Sequence, residues 1–424
     1  MKRWRSAQPL PAERALGLLG AGMAVSLLGD TTLYVVLPTR TAEAGILLAD
    51  VGLMLSANRA VRIFLNSPYG ALIARAPRRW VLVPSLFLGA LVTLLYAAPG
   101  FAPLLVGRVL WGVAWVGIWL GGSTAVLDLA SDANRGRLVG RFQMWSFVGL
   151  GAGALLGGVL TDWLGYQRTF LVFACASLLA GAIWWLYLPE TRPSNPRRPA
   201  PGAPSARAPS PSIRRARTPL VLAVILLGLN WLIFLGELGA VLSLLLRQRV
   251  GDEIALAGAT LPLLTVAGAL AAGNQALSLL AAPLTGWLSD RRGNRWGLVV
   301  AGLALGVASL VMAAEGAGAV VIAGLLLSAV ATSVLQTQAM TLAGDYSDPE
   351  RRGHVLGALN TVGDLGAAAG PLLAFALLPL VDLRGVFLIS AALLTAILPA
   401  TAYMAWREVR PSHVPPSRLE IQSP

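Results

Sequence analysis

The sequence predicts an all-α membrane protein of twelve transmembrane helices in two pseudo-symmetric six-helix bundles. Three observations carry that expectation: recurrent apolar stretches of membrane-spanning length, a one-sided distribution of basic residues, and an internal repeat of half the chain. Of 424 residues, 56% are hydrophobic and 12% charged, with a mean hydropathy of +0.69. That is too little charge to cover a soluble protein of this length.

Stretches of roughly 20 apolar residues are long enough to cross a bilayer as helix. In hydrocarbon each backbone amide must be satisfied within its own segment, so runs rich in Leu, Ala and Gly read as helices and not as barrel strands. The predicted spans are approximately 15–38, 44–73, 80–98, 102–127, 139–162, 168–188, 219–246, 257–287, 297–314, 317–343, 354–380 and 385–405, each end uncertain by about three residues. The first is too long for a signal peptide and no small-residue cleavage site follows it, so it is expected to remain as an anchor.

The net charge of +13 is explained by topology. With both chain ends on one side, that side receives 25 of the 33 Lys and Arg; the other receives five (Arg40, Arg168, Arg247, Arg249 and Arg384), and three fall inside spans. Acids divide as ten, seven and three, so the two surfaces carry +15 and −2. The positive-inside rule makes the basic side cytoplasmic. The expected location is a bacterial inner membrane, with membrane lipids as partners, a monomeric working unit and no nucleic-acid groove.

The expected domains are residues 1–188, a linker at 189–218, residues 219–406, and a cytoplasmic tail at 407–424. The linker holds Arg192, Arg197, Arg198, Arg207, Arg214, Arg215 and Arg217 among many prolines. It cannot bury a core and reads as a disordered cytoplasmic hinge. Cys175 stands alone and is expected to be a small buried apolar residue. His354 and His413 are too few and too far apart for a metal site, and no cofactor is expected.

Compared with itself at a shift of 216–217 residues, the chain matches Asn58 with Asn274, Gly70 with Gly286, Trp80 with Trp296, and Arg135-Gly136 with Arg352-Gly353. At a shorter shift Gly29-Asp30 meets Gly236-Glu237. Parallel six-span repeats place a binding cavity between the halves near the midplane.

The loop after span eight reads Gly286-Trp287-Leu288-Ser289-Asp290-Arg291-Arg292-Gly293-Asn294-Arg295. It resembles the Gly-x-x-x-Asp-Arg-x-Gly-x-Arg signature of the major facilitator superfamily. The loop after span two keeps Gly70 and Arg75 but has Ala74 for the aspartate and Pro77 for the glycine. Arg108-Val109-Leu110-Trp111-Gly112 is similar to the family's Arg-x-x-x-Gly element. Gly149, Gly153, Gly157 and Gly158 resemble the span-five signature of its twelve-helix drug:proton antiporters, with Ala154 in place of the usual proline. Span eleven carries Gly370-Pro371. The resemblance implies the major facilitator fold and a gating role for Gly70, Arg75, Gly286, Asp290, Arg291 and Gly293. Asp290 is expected against a helix N-terminus of the opposite half, and Gly70 and Gly286 where helices approach closely. Gly149, Gly153 and Gly157, four apart, share one face and are expected to pack against another helix.

Six ionisable residues lie well inside spans: Asp30, Arg59, Arg62, Arg108, Glu237 and Asp364. Each costs roughly 2.5–3.5 kcal/mol or more at a helix centre unless paired or hydrated. They are expected to face a common aqueous cavity or one another, with Asp30 and Glu237 across that cavity by repeat symmetry. Burial favours a neutral carboxyl and a nearby arginine favours the ionised one, so a conformational change can load and unload a proton. Static salt bridges are the alternative role. Asn58 and Asn274 offer hydrogen bonds to cargo or between helices. The expected function is a secondary active transporter working by alternating access, coupled to protons and exporting a small amphipathic or charged molecule. Uptake of a nutrient or organic anion, and a non-transporting sensor or scaffold, are the alternatives. The absence of a Gly-x-x-x-x-Gly-Lys-Ser loop argues against ATP drive, and no nucleophile–base pair or metal cluster suggests an enzyme.

Overall fold

A computed structural model describes residues 11–131, 134–192, 213–256, 259–347 and 352–409. The expected linker and tail fall largely outside the described residues, as do the first ten positions. Punctuation by Pro and Gly sets the helix boundaries. Helix α1 (Ala12–Val36) follows Pro11, and α2 (Val51–Arg75) follows two short turns, Thr41–Ala44 and Leu48–Asp50. Helix α3 (Arg78–Ala97) starts after Pro77, and α4 (Phe101–Leu129) after Gly100, whose φ of 127° suits only glycine. Helices α5 (Arg135–Leu164) and α6 (Tyr166–Tyr187) meet at Gly165, with φ 83°.

In the second half, α7 comprises Ile213–Asn230, a π-helical stretch Trp231–Leu238, and Gly239–Arg249. Strands β1 (Glu253–Leu256) and β2 (Ala259–Pro262) pair antiparallel, and α8 (Leu263–Arg292) follows. Then come α9 (Arg295–Glu315), capped by the Asn294 side chain, and α10 (Ala319–Asp345). The run Arg352–Val409 breaks at Asp382, whose φ is 55°, into α11 before it and α12 after it. There the Asp382 carboxylate accepts the Gly385 amide at 2.9 Å and turns the chain back.

The twelve predicted spans are thus present among the described residues, with four corrected starts. The fifth begins at Arg135 and not at 139 and the seventh at Ile213 and not at 219, both helices running past the apolar stretch into basic sequence. The second begins at Val51 and not at 44, because Gly45 at φ 68° ends the short turn Thr41–Ala44 and a second short turn, Leu48–Asp50, precedes the helix. The eighth begins at Leu263 and not at 257, because its first residues pair as strand β2. Cys175 is also corrected: it is exposed on the outside of α6 and does not lie in the core.

The repeat recurs in the packing. Helix α1 lies on α5 as α7 lies on α11, α2 on α4 as α8 on α10, and α3 on α6 as α9 on α12. Gly149, Gly153 and Gly157 line the α1–α5 contact as predicted: a Cβ at Gly149 would stand 2.7 Å from Ala24 Cα, and one at Gly153 3.0 Å from Leu28 Cα. Gly370 faces Gly236 at the equivalent contact in the second half. Large apolar side chains such as Leu179, Trp185, Leu280 and Leu284 remain exposed, as a lipid-facing surface requires.

The halves meet along two seams, α2 against α11 and α5 against α8. The tightest backbone contacts lie toward the end of each seam away from the basic loops. There a Cβ on Gly52 would stand 2.8 Å from the Pro371 carbonyl oxygen, and Gly158 and Gly268 leave no room against Leu264 and Ala154. At the basic end, Gly70, Gly140, Gly286 and Gly357 have open space where a Cβ would point. Among the described residues the molecule is therefore closed on one face and open toward the other. In this conformation no neighbouring helix meets Gly70 or Gly286 among the described residues.

Candidate functional site

At the midplane of the first half, Arg108 on α4 is fully buried. Its guanidinium donates to Asp30 Oδ1 on α1, and its Nε donates to the Met54 carbonyl at 2.7 Å. The Tyr96 hydroxyl lies 3.3 Å away, the Leu55 carbonyl 3.4 Å and the Tyr34 hydroxyl 3.5 Å. With its rigid fork occupied on every side, Arg108 ties α1, α2, α3 and α4 together.

Arg59 and Arg62, three apart on α2, share a face as their spacing requires. Arg62 reaches across the interface to Asp364 on α11, with Nη2 2.9 Å from Oδ1. Asp364 is 4% exposed, so this is a largely dehydrated ion pair linking the two halves. Arg59 differs. Its Nε points to the Tyr34 hydroxyl at 3.4 Å and its guanidinium lies 6.0 Å from that ring, but among the described residues it has no ion-pair partner.

Glu237 sits in the π-helical stretch of α7, where Gly236 lets α11 approach through Gly370. It is 3% exposed. Its two carboxyl oxygens each lie 2.8 Å from the Ser390 hydroxyl on α12, and no cation pairs with it among the described residues. Asp30 and Glu237 hold equivalent places in the repeat, yet each finds its partner inside its own half. Position 324, the counterpart of Arg108, is a glycine, so the second half offers no matching cation.

Asn58 is buried with its Oδ1 unpartnered, while Asn274 donates to the Leu325 carbonyl at 3.1 Å and Ser328 Oγ at 3.3 Å, a helix-to-helix bond. Of the gating residues, Asp290 is exposed and lies 3.9 Å from Arg295 of its own half, its one ion-pair contact among the described residues. Arg291 stacks on Trp287 at 5.2 Å. Gly293 takes φ 62° and ends α8, and the Arg75 carbonyl accepts from Arg192.

Sequence reasoning missed a contact on the closed face. Asp162, at the end of α5, accepts from the Thr265 amide at 2.7 Å and its hydroxyl at 2.8 Å. This carboxylate caps α8 of the opposite half, with Arg40 3.7 Å away. An aspartate near a span end has no distinctive sequence signal. Tyr34, Tyr96 and Ser390 were also missed, because a lone hydroxyl in a span predicts no particular partner.

Two six-helix repeats with a charge cluster buried between them are the architecture of a polytopic membrane transporter. The family profile described as Major Facilitator Superfamily matches residues 19–274 and again 263–424. The chain belongs to that superfamily and is a multi-pass membrane transporter, not an enzyme. It is 26% identical over 351 residues to the multidrug resistance protein MdtG of Dickeya zeae (strain Ech586), covering 82% of this chain and 81% of that one. To the inner membrane transport protein YnfM of Escherichia coli (strain K12) it is 28% identical over 188 residues, 43% of each chain; the match spans less than half of that relative. The fold is shared with an inward-facing bacterial homologue of the human lysosomal transporter Spinster (TM-score 0.74, 15% identity, 95% of this chain and 98% of that one). It is also shared with the human organic anion transporter MFSD10 (TM-score 0.61, 22% identity, 93% and 100%).

Proposed function

We propose that this protein is a proton-coupled secondary transporter that exports a small amphipathic or charged molecule across the bacterial inner membrane, with its basic face in the cytoplasm. The observation that carries the coupling is Glu237, a dehydrated carboxyl held by a single hydroxyl and, among the described residues, without a cation. A group that alternately binds and releases a proton must tolerate both forms, and a fixed ion pair would lock it in one. Asp30, committed to Arg108, has the weaker claim to move a proton and the stronger claim to hold the first half together. The relative named for multidrug resistance favours export.

In the observed state the cargo enters from the basic face, reaches Arg59, Arg62 and Asp364, and is shielded from the other side by the α2–α11 and α5–α8 contacts. Rocking of the halves breaks the Asp162–Thr265 contact and closes the opposite end, where Gly70, Gly286 and Asp290 then come into use. The test is flux in proteoliposomes with and without an imposed pH gradient, comparing the native protein with Glu237→Gln and Asp30→Asn. A gradient-driven flux that Glu237→Gln uncouples supports the reading. Flux indifferent to the gradient, or untouched by Glu237→Gln, removes proton coupling at that residue.

A further inference from the structure

We infer that the cargo site between the halves selects anions, with Arg59 and Arg62 receiving a carboxylate, sulfonate or phosphate group of the cargo in exchange for Asp364. The inference rests on the transporter reading and adds the charge of the cargo to it.

The argument begins with the charges on and around α2. Arg108 is balanced by Asp30, and Arg62 by Asp364. Among the described residues Arg59 contacts only the Tyr34 hydroxyl and ring and shares the more distant fields of Asp30 and Asp364, each already paired to another arginine, which leaves three guanidiniums to two carboxylates in this cluster. A cation held there without a counter-charge is costly, and binding a negative group relieves that cost. The remaining intramembrane acid, Glu237, is committed to Ser390 on α12 and does not meet Arg59.

Geometry adds to the charge count. Arg59 and Arg62 stand one helical turn apart on the same face, so two guanidinium forks can converge on one planar anion. The Arg62 side chain is 17% exposed, whereas the Asp364 side chain is 5% exposed. The arginine is therefore accessible from the open face while its acid partner is the more deeply placed. Asp364 acts as an internal stand-in for the cargo anion. An arriving anion that takes over Arg62 removes the ion pair tying α2 to α11, which links recognition to the freedom of the halves to rock. A cationic cargo meets the opposite situation, since both acids near the site already have arginine partners.

The full-length protein in detergent is titrated with benzoate, benzenesulfonate, benzyl alcohol and benzylammonium, and binding is read from the shift in thermal unfolding midpoint. The two anions are expected to bind and the alcohol and amine to bind more weakly. Arg59→Gln should weaken anion binding by roughly tenfold or more, and Arg59→Lys by less. Asp364→Asn should strengthen it severalfold, because Arg62 loses its competing carboxylate. A gain of affinity is not the consequence of a damaged fold, so this variant separates recognition from structure.

Preference for benzylammonium, failure of both anions to bind, anion affinity indifferent to Arg59→Gln, or an Asp364→Asn variant without improved binding would each overturn the inference. The same four probes in a proteoliposome flux assay separate it from the reading beneath it. Anion binding with no probe transported leaves the site selective and the transporter reading in doubt. Transport of the amine without anion binding does the reverse.

Discussion

At the residue scale, Asp30, Arg108 and Glu237 illustrate how identical sequence logic leads to different chemistry. All three are charged residues inside spans, and each needs a partner in a dehydrated setting. Arg108 fills its fork with Asp30, two backbone carbonyls and two tyrosine hydroxyls. Its replacement by Gln leaves Asp30 buried without a cation, a loss of about 3–5 kcal/mol of stability. The expected outcome is a sharp fall in the unfolding midpoint of the purified protein; an unchanged midpoint would contradict the structural role. Glu237→Gln should behave otherwise. Gln keeps the hydrogen bond with Ser390, so the unfolding midpoint should hold and cargo exchange across equilibrated vesicles should continue. Acceleration by a pH gradient should disappear. Retained acceleration would assign the proton to another group.

At the element scale, small residues decide which helices can touch. The Gly149, Gly153 and Gly157 stripe brings α5 onto the backbone of α1, and Thr32 donates to the Gly153 carbonyl at 2.9 Å across the same contact. Gly153→Leu drives a side chain into Leu28 and Thr31, and overpacking of this kind costs about 1–3 kcal/mol. The variant should express at a reduced level with a lowered midpoint, while Gly140→Leu, on the open end of the same helix, should leave the midpoint of the observed state nearly unchanged. Equal effects at both positions would mean that the stripe is not a packing surface. The π-helical stretch in α7 serves a related purpose. Its widened turn places Glu237 toward α12 while Gly236 remains against Gly370.

At the scale of the whole molecule, the balance between the closed face and the open face rests on a few contacts between halves. Asp162 capping α8 is a charge-assisted contact of a kind that stabilises by about 1 kcal/mol, and Arg62–Asp364 adds a second tie. Asp162→Ala together with Thr265→Val removes the first tie without altering the charge cluster. Distances between spin labels placed on the closed ends of α5 and α8 should then broaden toward longer values, with a matching rise in label accessibility. If the distribution stays narrow and unchanged, Asp162 is only a local cap and the closed face is held by apolar packing.

Sequence alone determined the class, the span number and the repeat. Transfer of apolar length into a bilayer, the need to satisfy backbone amides within each segment and the sidedness of arginine are properties of single segments and their order. The same reasoning located all six intramembrane charges, because their cost does not depend on neighbours. It did not assign their partners. That Arg108 takes Asp30, that Arg62 crosses to Asp364, and that Glu237 takes Ser390 depend on which helix faces meet, a matter of tertiary packing between residues up to 302 positions apart. The start of α8 and the unused state of the Asp290 loop were decided in the same way. A hairpin needs a partner strand, and a gate contact exists only when the two halves close on that side.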